Sequence, residues 1–182
     1  MHMIFLDTEF TSFHRPSLLS IGMVSLNDAR EFYAELDMLT EDGQQAWQSA
    51  SEFVRGPDVL GQWSRVAASA GNLQQMARRC SRWLADELTQ AQGFGDGKLM
   101  VCSDYGADFK FLVELLRRDR TWDLLGGRLR YQDISGLLSG VQADRAVQQC
   151  FEELAATRGL RQHHALADAL AIRQGFMALR GA

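Results

Sequence analysis

Lysine is nearly missing from this chain. Only Lys98 and Lys110 occur, and every other basic side chain is arginine. The formal net charge is −4, which excludes a protein that coats nucleic acid through bulk positive charge. Charge is uneven along the chain: residues 1–100 carry 8 basic and 13 acidic side chains, residues 101–182 carry 11 and 10. Arginine suits bidentate phosphate contacts, but a compositional bias is the simpler explanation. Cysteine is also scarce. Cys80, Cys102 and Cys150 are widely spaced and odd in number, which speaks against a disulfide framework or a zinc site and fits reduced thiols in a cytoplasm. No apolar run approaches the length of a membrane span, and the first residues lack the basic region and small-residue cleavage site of a secretory signal. The expected location is cytoplasmic, with no membrane partner. There is no internal repeat and no flexible interdomain linker.

What is present is an ordinary globular composition, 46% apolar and 23% charged over 182 residues. That predicts a single domain over 1–182, large enough to bury a proper core. Met1-His2 ahead of Met3 reads as a cloning remnant, and His2 is left out of site reasoning.

The chain is organised around Met3-Ile4-Phe5-Leu6-Asp7-Thr8-Glu9-Phe10. Its long apolar start reads as a central strand buried on both faces. Asp7 and Glu9, at i and i+2, point to the same side. Two carboxylates that close raise each other's pKa unless something positive sits between them. A divalent cation supplies that, because hard cations prefer oxygen ligands; a hydrated strand end is the plainer explanation for the pair taken alone.

Leu18–Leu26 and Arg30–Leu36 read as further strands of an antiparallel meander. Residues 37–70 are polar and include short helices around the Gly56-Pro57 turn. Between Gly71 and Gln90, Leu73, Met76, Ala77, Cys80, Trp83, Leu84 and Leu88 form one apolar helical stripe, read as core. Gly93-Phe94-Gly95-Asp96-Gly97 precedes a strand, so it reads as a connecting turn and not a phosphate loop. Leu99–Cys102 is the fourth strand. Tyr105 to Arg120 is a helix with Phe109, Leu112, Val113 and Leu116 facing the core. Leu129–Ile134 is a fifth strand, Asp144–Thr157 a helix with Asp144 as N-cap, and about His164–Leu179 the last helix. The order predicts an α/β three-layer arrangement on a mixed five-stranded sheet flanked by helices.

Other carboxylates can join the first pair. Asp108 falls in the first turn of the helix after the fourth strand, where the helix dipole favours an acid. If that strand lies beside the first and parallel to it, Asp108 opens on the same edge as Asp7 and Glu9. Asp104 reads as a helix cap. Asp168 lies in the otherwise apolar run Ala165–Leu170, where a lone acid needs a partner or costs several kcal/mol. His163, about 140° from Asp168 in continuous helix, is expected in the loop that leads into the helix, where it can swing over the site. His14 reads as a solvated loop residue and Asp133 as a turn or cap residue.

Asp7-x-Glu9, Asp108 and His163-x-Ala165-x-x-Asp168, in this order and on these elements, resemble the DEDDh 3′–5′ exonucleases, which include ribonuclease T, oligoribonuclease and the proofreading subunit of bacterial replicative polymerase. The resemblance runs from residue 4 to residue 170. It is close at Leu6–Glu9 and His163–Ala169, and looser in the middle, where Asp104 and Ala107 replace the family's frequent Asn and aromatic. It implies a ribonuclease H-like fold. It implies Asp7, Glu9, Asp108 and Asp168 as ligands of two divalent cations, Mg²⁺ or Mn²⁺, that clamp the scissile phosphate. His163 becomes the general base, a role histidine fills well near neutrality. Thr8, Phe10 and Thr11 are placed to meet the terminal nucleotide, and Phe10 or Phe13 to stack on bases.

The implied activity is release of nucleoside 5′-monophosphates from the 3′ ends of single-stranded nucleic acid. RNA is preferred over DNA, because a lone acidic domain has no appended duplex-binding module. Relatives of this kind are often dimers, and a homodimer is compatible with the chain. The alternatives are a catalytically inactive nucleic-acid- or partner-binding domain on the same fold, and an endonuclease that needs no 3′ hydroxyl.

Overall fold

The computed structural model describes residues 2–62, 69–93 and 96–181. The predicted central strand is β1 (His2–Phe10), and β2 (Leu18–Ser25) and β3 (Glu31–Leu36) follow it as an antiparallel meander. Two short helices come next, α1 (Glu41–Ser49) and α2 (Glu52–Arg55), each closed by a hydroxyl cap, Thr40 and Ser51. A two-residue strand, β4 (Ala70–Gly71), leads into α3 (Leu73–Gln92), which opens with a capping box between Asn72 and Gln75. Then come β5 (Leu99–Ser103), α4 (Gly106–Arg118), α5 (Trp122–Leu125), β6 (Leu129–Asp133), α6 (Ser135–Leu138), α7 (Val141–Arg158) and α8 (Ala165–Leu179).

Among the described residues the sheet has six strands in the order β4-β3-β2-β1-β5-β6, where five were expected. The extra one is β4, which pairs through Glu35–Ala70 and Leu36–Gly71 and is too short to show an alternating pattern. β5 runs parallel to β1, with Ile4 opposite Val101 and Phe5 opposite Cys102, and β6 runs parallel to β5. The C-terminal ends of β1 and β5 therefore open on one edge, as the grouping of Asp7, Glu9 and Asp108 required.

Strand alternation sorts β1 between two cores. Ile4 and Leu6 pack with Met76, Cys80 and Leu84 of α3 and with Leu112 of α4. Met3 and Phe5 pack on the other face with Ala165, Leu166 and Ala169 of α8. The result is three layers, with helices on both faces of a mixed sheet. The α3 stripe is core, as its spacing predicted. The α4 face is turned from the expected one: Phe111, Leu112, Leu115 and Leu116 are buried, while Phe109 and Val113 are only half-buried. Phe109 packs against the edge of this core and also stacks on Tyr131 of β6 at 4.9 Å.

Helix α8 lies unusually close to β2. A Cβ on Gly22 would sit 2.3 Å from the carbonyl carbon and oxygen of Ala165, so only glycine permits this approach. Farther along, the buried Arg173 donates to the carbonyls of Ser25 and Leu26. This ties α8 to the end of β2. His2, set aside from the sequence, is a buried residue of β1 whose Nε2 lies 2.6 Å from Glu87 on α3. Arg30 approaches the other oxygen of Glu87 at 3.1 Å. Phe94 and Gly95 of the predicted glycine turn lie beyond the described residues. Among the described residues no helix is long and apolar enough to cross a membrane.

Candidate metal centre

β1 carries its chemistry on alternate faces. Ile4, Leu6, Thr8 and Phe10 turn toward α4. Asp7 and Glu9 turn toward α8, opposite Gly22 and Ser20 of β2. The α8 face holds the start of α8, and Asp168 sits in that first turn, its N–H bonded to the carbonyl of His164. One carboxylate oxygen from each of Asp7, Glu9 and Asp168 falls within 4.8 Å of the others. Gly22 is what lets this happen, because it brings the backbone at Ala165 down onto the sheet beside Asp7.

A second triad shares Asp7. Oxygens of Asp7, Asp104 and Asp108 also lie within 4.8 Å of one another. Asp108 occupies the first turn of α4, as predicted, and is 1% exposed. The Thr8 hydroxyl donates to its Oδ1 at 2.7 Å, which fixes the carboxylate from the neighbouring strand. Asp108 Oδ2 and Asp7 Oδ2 are buried and accept no hydrogen bond of normal geometry.

Electrostatics explain why such a group needs a counter-charge. Burial pushes Asp7 well above the usual carboxylate range, and the charges of Asp168, Asp108, Glu9 and Asp104 push it further. Burial and then Asp108 raise Glu9 to about 7. Burial also raises Asp108 to about 7 against the pull of the Thr8 hydroxyl. Asp168 rises well above its ordinary value through burial and then Glu9, with the backbone N–H groups of His163 and His164 acting against the rise. Carboxylates in this condition either hold protons or share a cation. The oxygen-only donor set and the buried oxygens without hydrogen bonds fit hard divalent cations.

The acids line a cleft of about 630 Å³. Asp144 joins the five carboxylates of the triads on its wall, and no lysine or arginine is among the described lining residues. The carboxylates on this wall therefore repel an anionic ligand unless cations neutralise them.

His163 lies in the turn before α8, not in the helix, and takes a left-handed backbone at φ 65°. That conformation costs a non-glycine residue about 1 kcal/mol. The turn is held by Gln62, a buried residue that no sequence pattern singles out. Its Nε2 donates to the carbonyl of Gln162 at 2.7 Å, and its Oε1 accepts from the N–H of Arg161 at 2.8 Å. The His163 ring meets Phe53 of α2 edge-on, with centroids 5.1 Å apart. Its neighbour His164 points the other way, buried and stacked on Tyr33 at 4.4 Å.

An aromatic rim completes the cleft. A register shift in the β1–β2 pairing between Glu9 and Phe10 lies beside the acids, where bulges commonly re-aim a side chain. Phe10 packs on Phe111 at 5.6 Å and stacks with Tyr105 at 6.2 Å, so it serves core and cleft together. Phe13, 83% exposed, stands edge-on to both Phe10 and Tyr105.

Several expected roles change. Thr8 lines the cleft but spends its hydroxyl on Asp108. Thr11 is fully buried and lies outside the cleft lining. Its hydroxyl donates to the Arg15 carbonyl and accepts from Ser17 N–H, so it shapes the loop instead of facing a ligand. Asp104 is not a cap: the N-cap position of α4 is Tyr105, with no side-chain bond. Asp144 is not a cap either, because α7 begins three residues earlier, with Gly140 at its N-cap. Asp133 does brace a turn, accepting from Ser135 N–H and hydroxyl, and His14 is exposed in its loop. The four-residue spacing of Asp104 and Asp108 was the available signal for the second triad, and Tyr105 lies between them. No protein-family model matches the chain, and no curated protein matches it in sequence.

Proposed function

We propose that this protein is a divalent-cation-dependent 3′–5′ exonuclease acting on single-stranded nucleic acid, on a ribonuclease H-like fold of the DEDDh type. The observation that carries the reading is the pair of acid triads that share Asp7 at one sheet edge, with His163 poised at the same cleft. Asp7, Glu9 and Asp168 would hold one cation, and Asp7 with Asp108 the other. When bound, two such ions neutralise the scissile phosphate, acidify the attacking water and stabilise the leaving oxygen.

The chain's own residues do the rest. His163 accepts the proton of the attacking water, held over the site by its strained turn and by the Gln62 clamp. Thr8 keeps Asp108 in one orientation. Phe10, Phe13 and Tyr105 give the terminal bases aromatic faces to stack on, which is tolerant of sequence. The six carboxylates among the described lining residues repel phosphates unless cations neutralise them. The product is a nucleoside 5′-monophosphate, and the preferred substrate in this reading is RNA over DNA.

The test is a time course on 5′-labelled single-stranded RNA and DNA of matched sequence, with Mg²⁺, with Mn²⁺ and with chelator. The expected result is a ladder shortening from the 3′ end only when metal is present. No cleavage of either strand under any metal, or internal cuts independent of the 3′ hydroxyl, overturns the reading.

A further inference from the structure

We propose that Asp104 is a direct ligand of the second cation, so that this chain grips that ion with three carboxylates, Asp7, Asp104 and Asp108. The inference rests on the two-cation reading above and specifies how this chain builds its second site.

Four observations support it. An oxygen of Asp104 lies within 4.8 Å of oxygens of both Asp7 and Asp108, a spacing that one ion can span. Asp108 is 1% exposed, its Oδ1 is held by Thr8, and its Oδ2 is left buried without a hydrogen-bond partner; Asp7 Oδ2 is in the same condition. Buried polar oxygens normally have partners, so both point to an ion between these side chains. Among the described residues the cleft lining offers no lysine or arginine that could take its place.

The local fold also releases Asp104 for the role. Residues 103–108 are braced without its side chain: the Ser103 hydroxyl donates to the Tyr105 carbonyl at 2.8 Å, and Asp108 N–H donates to the same carbonyl at 3.1 Å. Tyr105 takes the N-cap position of α4. Asp104 sits just outside that helix, four residues before Asp108, and is the exposed member of the triad. Hard cations gain affinity with each added carboxylate oxygen. The second ion is therefore retained by the protein alone, before any phosphate arrives to complete its shell.

The test is Mn²⁺ binding by the full chain, followed by calorimetry and by electron paramagnetic resonance of unbound Mn²⁺. The proteins compared are wild type, Asp104→Asn and Asp168→Asn, each checked for folding by thermal unfolding. Wild type is expected to bind two Mn²⁺ per chain. Asp104→Asn is expected to weaken one of them by about tenfold or more and leave the other unchanged, while Asp168→Asn weakens the other. If Asp104→Asn binds both ions as wild type does while Asp168→Asn does not, Asp104 is no ligand and the inference is wrong. If wild type binds no Mn²⁺, or Asp168→Asn changes nothing, the two-cation reading itself has failed and takes this inference with it.

Discussion

Asp7 belongs to both acid triads, and burial and then the charges of Asp168, Asp108, Glu9 and Asp104 raise its pKa. Replacing it by Asn keeps its shape and removes one buried charge. Asp7→Asn is expected to lower metal-dependent turnover by a factor on the order of 10³ or more, while thermal stability in chelator is unchanged or rises. Turnover near wild type would contradict the metal assignment. The two adjacent histidines divide along the same line. His163 faces the cleft and His164 the core, so their alanine variants fail in different ways. His163→Ala is expected to lose roughly 10²–10⁴-fold in turnover with little loss of stability. His164→Ala, which removes a buried ring stacked on Tyr33, is expected to lose about 2 kcal/mol or more of stability. Steady-state kinetics and denaturant titration on both variants separate the two effects. A larger turnover loss in His164→Ala would place the base on the other ring.

Among the elements, α8 decides whether the acids meet, and two contacts set its position. Gly22 allows its first turn to rest on β2. Gly22→Ala must push the two apart, at a cost of about 1–3 kcal/mol, and is expected to weaken Mn²⁺ binding at the site that includes Asp168. Unchanged affinity in that variant would show that the close approach is not what places Asp168. Gln62 holds the turn ahead of α8 from both sides. Gln62→Ala is expected to reduce kcat roughly 10- to 100-fold by loosening His163, with a smaller effect on Mn²⁺ affinity, because its side chain bonds the backbone at Arg161 and Gln162 and no carboxylate directly. Loss of metal binding instead would mean that the turn positions Asp168 and not the base.

For the whole molecule, the acid cluster makes stability depend on pH and on metal. Asp7, Glu9, Asp108 and Asp168 all have raised pKa values when folded, with Glu9 and Asp108 at about 7. Unfolded, they titrate near 4. Between these values the folded chain binds more protons than the unfolded one, so stability falls as pH rises. The contribution of Glu9 and Asp108 is full below about pH 4 and is lost as pH rises through about 7. In chelator, denaturant midpoints should therefore drop between pH 5 and pH 8, on the order of one to two kcal/mol or more. Mn²⁺ should restore stability most strongly at the upper end, since it binds the folded state alone. A flat profile in chelator would mean that the carboxylates are not packed against one another as described.

The sequence by itself determined the parts whose causes are local. The apolar run before Asp7 made a central strand, and period-2 alternation put Asp7 and Glu9 on one side. The stripe from Leu73 to Leu88 made a core helix, and the five-residue spacing of His163 and Asp168, about 140° apart in continuous helix, put the histidine in the turn ahead of it. Tertiary structure decided what no spacing could carry. Parallel pairing of β5 with β1 brought Asp104 and Asp108 to Asp7 from about 100 residues away. Asp104 and Asp144 looked like caps because a helix start and an acid suggest one locally; in the structure both lie on the wall of the acid cleft. Thr11 looked available to a ligand until the loop folded over it. Gln62 carried no signal at all, because an amide that clamps two backbone groups some 100 residues distant has no partner in sequence until the chain has closed around it.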